Sequence, residues 1–254
     1  MEQIILIIAA LITSSISAVI GMGGGIILLG IMAVLIPEGY MVIALHGIIQ
    51  MVSNGARTFV FRDYIKKNLI TEYLIGALIG LGLSVFIVYG LMHFYDVRSA
   101  NEIKFDYLKP IIGLYILWYL YLRGPKKERK NKLFIIVGFV GGLCSIFVGA
   151  VGPLIAPFFL RNELSKESVI ANKAACQIIT HIGKIPIFMY FFNFSYTEHY
   201  TILLPLIISV YFGTTIGKKL LGKLSDNTFK LFFKICLTLI AIRLLLGEFL
   251  FITI

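Results

Sequence analysis

Apolar residues dominate long stretches of this chain without the period-2 alternation of a half-buried strand or the narrow stripe of a surface helix. Runs such as Ile4–Ile12 and Ile202–Tyr211 contain no alternation of polar and apolar positions. That excludes a transmembrane β-barrel, whose strands alternate over about ten residues. A hydrocarbon core about 30 Å thick takes about 20 apolar residues per helix. Six stretches reach or approach that length: 40–61, 69–92, 107–122, 168–192, 200–217 and 228–251. Two further stretches are broken. Gln3–Ile20 stops at Gly21-Met22-Gly23-Gly24-Gly25 and resumes only over Ile26–Ile36. Leu133–Val148 stops at Gly149-Ala150-Val151-Gly152-Pro153 and resumes only over Leu154–Leu160. Each reads as a full-length helix followed by a half-length one.

Composition agrees with this pattern. Of 254 residues, 59% are hydrophobic and 14% charged, against about 45–50% and about 25% in a soluble domain. A water-soluble monomer is excluded, and the expectation is an all-α polytopic membrane protein. The net charge of +10 is therefore a topology signal, and no nucleic-acid partner follows from it. Cys144, Cys176 and Cys236 lie in apolar runs with neither disulfide nor zinc spacing. The start Met1-Glu2-Gln3 lacks a basic n-region, so the first helix is expected to remain in the mature chain.

Basic residues near helix ends stay on the cytoplasmic side. Segment 123–132 carries Arg123, Lys126, Lys127, Arg129, Lys130 and Lys132 against Glu128 alone, and segments 62–67 and 218–227 are also basic. Segment 93–106 is balanced, and 193–199 has no Lys or Arg. Inside and outside then alternate across the six long helices, and each broken stretch must enter and leave by one face, the first from outside and the second from inside. The prediction is two inverted-topology repeats, 1–122 and 133–254, joined by the basic cytoplasmic linker 123–132. Each repeat is a glycine-broken helical hairpin plus three transmembrane helices, and both termini lie outside an inner (cell) membrane. The halves also match directly: the two glycine motifs align at an offset of 128, and Ala44, Gln50, Ser53 and Arg57 fall on Ala171, Gln177, Thr180 and Lys184 after one residue of slippage. Inverted repeats with broken helices typify secondary transporters that hold substrate near the midplane.

The Gly21–Gly25 motif, the Gly149–Leu154 motif, the length and the basic central linker together resemble the TauE/SafE family of sulfite and organosulfonate exporters, across essentially the whole chain. The resemblance implies a permease for sulfite, sulfoacetate or related sulfur-containing anions. The chain differs at Val151, where the second motif of the family normally carries a further glycine.

A backbone break inside hydrocarbon survives only beside protein or a wet cavity, and the starts of the half-helices near Ile26 and Leu154 offer amide groups and positive dipole ends to an anion. Pro153 suits the first helical position. The alternative for glycine is close helix packing, which is assigned to Gly76/Gly80 and Gly213/Gly217. Arg57 and Lys184 lie deep in their helices at a cost of about 2.5–3.5 kcal/mol each, with no comparably deep Asp or Glu, so a bound anion is their natural counter-charge; snorkelling is the alternative. Lys173 is placed nearer a membrane surface in a structural role, and Arg243 is paired with Glu248. The candidate substrate contacts are Gly21, Gly23, Gly24, Gly25, Gln50, Asn54 and Arg57 from the first half, and Gly149, Gly152, Pro153, Gln177, Thr180, His181 and Lys184 from the second. His46 and His181 are candidate proton relays, with neutral packed histidines as the alternative. The sequence has no nucleophile with a nearby base, no metal-ligand spacing and no phosphate-binding motif, so no enzyme activity, cofactor or metal is expected. The expected partners are a small anion and the bilayer, and a homodimer is compatible with the pattern. Proton-coupled uptake of a small organic or sulfur anion is the alternative within transport. An intramembrane enzyme and a non-transporting subunit of a membrane complex are the alternatives outside it.

Overall fold

Unbroken apolar runs become helices because only a helix satisfies every backbone N–H and C=O within one segment. The computed structural model describes residues 2–36, 38–103, 108–122, 133–148, 150–160 and 164–250. Among the described residues the secondary structure is entirely helical. Helix α1 spans Glu2–Ile20, α2 Gly24–Leu35, α3 Gly39–Val60 and α4 Lys67–Phe94. Helix α5, Leu108–Leu117, runs on as a π-helical turn to Leu122. The second half follows with α6 (Leu133–Cys144), α7 (Gly152–Ile155), α8 (Lys166–Phe191), α9 (Tyr200–Leu221) and α10 (Asp226–Leu250). The basic linker 123–132 lies outside the described residues, as do Gly149 and the side chain of Glu248.

Three stretches are long and apolar enough to cross a membrane by composition alone: Glu2–Ile20, Lys67–Phe94 and Tyr196–Leu221. Helices α3 and α8, with 22 and 26 residues, have the length to cross but carry polar residues along the face where they meet. They pack on each other and bury Gln50, Asn54, Arg57, Asn172, Lys173, Gln177, Thr180, His181 and Lys184. Other helices shield them from lipid. Helix α4 lies along α6, α1 along α9, and α5 along α10, while α3 also meets α9 and α8 meets α4. The two longest seams are made by glycines. A Cβ added at Gly76 or Gly80 would enter the backbone of α6, one at Gly138 or Gly142 that of α4, and one at Gly213 or Gly217 that of α1. Both glycine pairs assigned to packing from sequence therefore do pack.

The broken stretches differ from expectation in detail. Helix α6 ends at Cys144, four residues before the predicted stop, in turns closed by Ser145 N–H on the Gly142 carbonyl and Val148 N–H on the Cys144 carbonyl. Helix α7 is one turn followed by a 3₁₀ turn over Ala156–Phe159. Pro157 lacks the amide that would continue an α-helical ladder, so the segment tightens instead.

Two apolar clusters lie at the two ends of the bundle. One contains Phe61, Leu164, Leu221 and Phe229 beside the basic loops, and the other contains Ile36, Ala100, Phe192 and Phe194 at the opposite end. Met22, in the first glycine bend, packs in the basic-loop cluster, whereas Leu28, Met32 and Ile36 of the same hairpin belong to the opposite one. Ile146, three residues before Gly149, packs in the cluster away from the basic loops, while Val151 in the second bend and the arms of that hairpin, at Leu133 and Leu160, pack in the basic-loop cluster.

Candidate functional site

The first bend is built by glycines in conformations other residues rarely adopt. Gly21 and Gly23 have φ of 80° and 90°, in the left-handed region that only glycine enters freely. Gly24 lies so close to α1 that a Cβ there would enter the Thr13 carbonyl. The helical ladder of α2 begins with Ile26 N–H and Ile27 N–H, both on the Gly23 carbonyl. The amides of Gly24 and Gly25 therefore precede the ladder and face the start of a 12-residue helix. The second bend needs no left-handed residue at Val151, whose φ and ψ are −73° and −16°, so valine there is unstrained. Helix α7 is only four residues long, too short for the dipole contribution expected of a half-helix at Leu154. Pro153 is its second residue, not its first.

Between the bends is a small cavity with about 30 Å³ open to the centre of a water molecule, room for roughly two waters or one small oxyanion. Gly23, Gly25, Ile26 and Met22 line it from the first hairpin, Ala150, Gly152 and Pro153 from the second, Ser17 from α1, His46, Gln50 and Arg57 from α3, and Lys173, Gln177 and His181 from α8. Gln50 and Gln177 take matching places: a Cβ on Gly25 would sit 2.9 Å from Gln50 Oε1, and one on Gly152 would sit 2.8 Å from Gln177 Nε2.

Arg57 is 2% exposed and does not snorkel. Its Nη1 donates to Ser17 Oγ at 2.8 Å, its Nη2 to Asn54 Oδ1 at 2.8 Å, and its Nε to the Ser53 carbonyl at 3.2 Å. Lys173 is also 2% exposed and lines the cavity. Its Nζ donates to the Gly21 carbonyl at 2.8 Å and to Gln177 Oε1 at 3.1 Å. Gly21 follows the last residue of α1, so the ammonium caps the negative end of that broken helix. His46 Nε2 meets the Gly25 carbonyl at 2.7 Å; a carbonyl only accepts, so that nitrogen carries the proton. His181 Nδ1 is buried with no hydrogen-bond partner. No Asp or Glu is buried among the described residues. The site thus presents a guanidinium, a lysine amine, two amides, a serine and two histidines, and no carboxylate among the described residues.

Of the residues expected from sequence, Gly23, Gly25, Gln50, Arg57, Gly152, Pro153, Gln177 and His181 line the cavity. Gly21 contributes through its carbonyl to Lys173, and Gly24 through the close approach to Thr13. Asn54 lies behind the guanidinium, Thr180 spends its hydroxyl on the Gln177 carbonyl at 2.9 Å, and Lys184 is buried but is not part of the lining. Gly149 lies outside the described residues. Ser17, Lys173 and His46 complete the polar side chains of the lining beyond the expected substrate contacts. The signal for Lys173 was present: the one-residue slippage that aligns Gln50 with Gln177 also places His46 on Lys173.

A family model described as sulfite exporter TauE/SafE matches residues 6–244. No curated protein and no solved structure matches the chain.

Proposed function

Since the chain belongs to the sulfite exporter TauE/SafE family and is a multi-pass membrane protein, we propose that it exports a small sulfur-containing anion held in the cavity between the two glycine bends. The observation that carries this reading is the pairing of buried Arg57 and Lys173 on one small cavity, with no buried carboxylate among the described residues. An oxyanion there would take charge-assisted hydrogen bonds from both cations and neutral ones from Gln50, Gln177 and Ser17. Its negative charge would also meet the amide start of α2. At about 30 Å³ the cavity suits sulfite better than sulfoacetate, whose added carboxymethyl group needs the bends to separate.

The transport cycle we propose is alternating access between two inverted repeats. The packing supports it: Met22 in the first bend and Ile146 just before the second each pack in the apolar cluster opposite to the arms of their hairpin. Advancing every helix by five also maps the seam of α1 with α9 onto that of α6 with α4, while α3 with α8 and α5 with α10 map onto themselves. The basic loops 62–67 and 218–227 support assigning their end of the bundle, with the linker 123–132, to the cytoplasm of an inner membrane. Moving one negative charge outward releases about 2.3 kcal/mol per 100 mV in an inside-negative cell, so export needs no coupling ion.

The test is sulfite efflux from loaded proteoliposomes under an imposed potassium-diffusion potential. An inside-negative potential accelerates efflux on this reading; efflux indifferent to the potential overturns the voltage-assisted mechanism. The second reading, proton-coupled uptake, is favoured by His46 and His181 both lining the cavity. Influx driven by a pH gradient at zero potential would select it.

A further inference from the structure

On the outer surface of the bundle, away from the cavity, a groove of about 430 Å³ runs between α1, α2 and α10, lined by Ile5, Ile27, Gly30, Ile31, Val34 and Arg243 among others. Its walls are apolar apart from one guanidinium. Arg243 occupies the space left by the missing side chain of Gly30: a Cβ on Gly30 would sit 2.6 Å from Nη2 and 3.2 Å from Nη1. The residues flanking Arg243 on α10 are apolar and open to the surroundings, with Leu239 63%, Ile242 41% and Leu246 48% exposed. Arg243 is therefore an exposed cation set among exposed apolar side chains. Among the described residues it forms no salt bridge.

Depth decides what neutralises it. Arg243 lies 17 positions beyond Asp226, the first residue of α10, or about 25 Å along the axis, in a hydrocarbon core of about 30 Å. Its contact with Gly30, in a groove shared with Ile5 near the start of α1, sets it toward the end of the bundle opposite the basic loops, within snorkelling reach of the headgroups there. Glu248, the expected ion-pair partner, has its side chain outside the described residues. It is five positions on, about 140° around the helix, not on the face three or four residues away that favours pairing.

We infer that this groove is a binding site for an anionic phospholipid: one acyl chain lies along Ile5, Ile27, Ile31 and Val34, and the headgroup phosphate accepts from Arg243. Charge complementarity selects an anionic lipid over a zwitterionic one, because the choline of phosphatidylcholine already balances its phosphate. The bound lipid would brace α2, the short arm of the first hairpin, against α10. This inference is independent of which anion is exported.

Native mass spectrometry of the purified full chain with equimolar phosphatidylglycerol and phosphatidylcholine tests it. The expected result is an adduct preference of about fivefold for phosphatidylglycerol, the factor for one basic residue at an anionic headgroup. Arg243→Gln should abolish that preference, Arg243→Lys should retain most of it, and Gly30→Leu, which fills the groove, should lower occupancy by both lipids. Equal binding of the two lipids by the wild type, or a preference that survives Arg243→Gln, overturns the proposal. Glu248→Gln should leave the preference within twofold; a rise to several-fold above wild type would identify Glu248 as the neutralising group and also overturn it.

Discussion

Lys173→Met removes the less expected of the two cavity cations while keeping most of the side-chain length. Two effects follow and can be separated. In the empty protein the Gly21 carbonyl and Gln177 Oε1 lose the ammonium that bonds them at 2.8 and 3.1 Å, and an unsatisfied buried acceptor costs about 1–3 kcal/mol. In the loaded protein the anion loses one charge-assisted hydrogen bond of about 1.5–3 kcal/mol, or roughly 10- to 150-fold in affinity. The Coulomb value for a pair 4 Å apart at an effective dielectric of 20, about 4 kcal/mol, bounds the loss from above. Calorimetric titration of sulfite into detergent-solubilised protein reads the second effect. Thermal unfolding without ligand reads the first. Lys173→Arg keeps a cation at this position and should bind sulfite within about tenfold of wild type. A folded Lys173→Met protein with sulfite affinity within twofold of wild type would show that Lys173 serves only to cap α1, and would refute the reasoning.

Gly24→Ala should lower the thermal midpoint sharply, because its methyl would enter the Thr13 carbonyl and backbone cannot yield there; the expected cost is about 1–3 kcal/mol or more. Gly47→Ala, with nothing within 4 Å, should be neutral or stabilising by up to about 1 kcal/mol, and equal effects of the two substitutions would contradict the packing account. Gly25→Ala and Gly152→Ala should fold, since their methyls meet only the movable ends of Gln50 and Gln177, but should slow sulfite efflux in proteoliposomes by displacing those amides. Arg57→Lys keeps the charge but cannot hold Ser17 and Asn54 at once as the guanidinium does; thermal stability should fall by about 1–3 kcal/mol while sulfite affinity stays within about tenfold.

Helix positions were legible because the physics that sets them is one-dimensional. Apolar length, glycine breaks and basic loops located α1, α2, α3, α8, α9 and α10 to within a few residues. The break after α6 was less so, since Pro157 shortens α7 in a way that an apolar run conceals. The depth at which a helix face meets the cavity was not legible at all. Lys173, Gln177 and Lys184 share one face of α8, at spacings of 4 and 11 residues, about one and three turns. Only the first two line a cavity of about 30 Å³. Thr180 and Asn54 lie near the cavity without lining it: the Gln177 carbonyl takes the Thr180 hydroxyl and the Arg57 guanidinium takes Asn54 Oδ1. Ser17 escaped notice because its role depends on α1 ending beside α3, a tertiary contact across 40 residues.

The central claim is that the exported anion sits where the two bends approach. A structure of the protein with selenite, a heavier stand-in for sulfite, tests it most directly. The account predicts anomalous density in contact with Arg57, Lys173, Gln50 and Gln177; density elsewhere on the protein, or none in this cavity at saturating selenite, would contradict it.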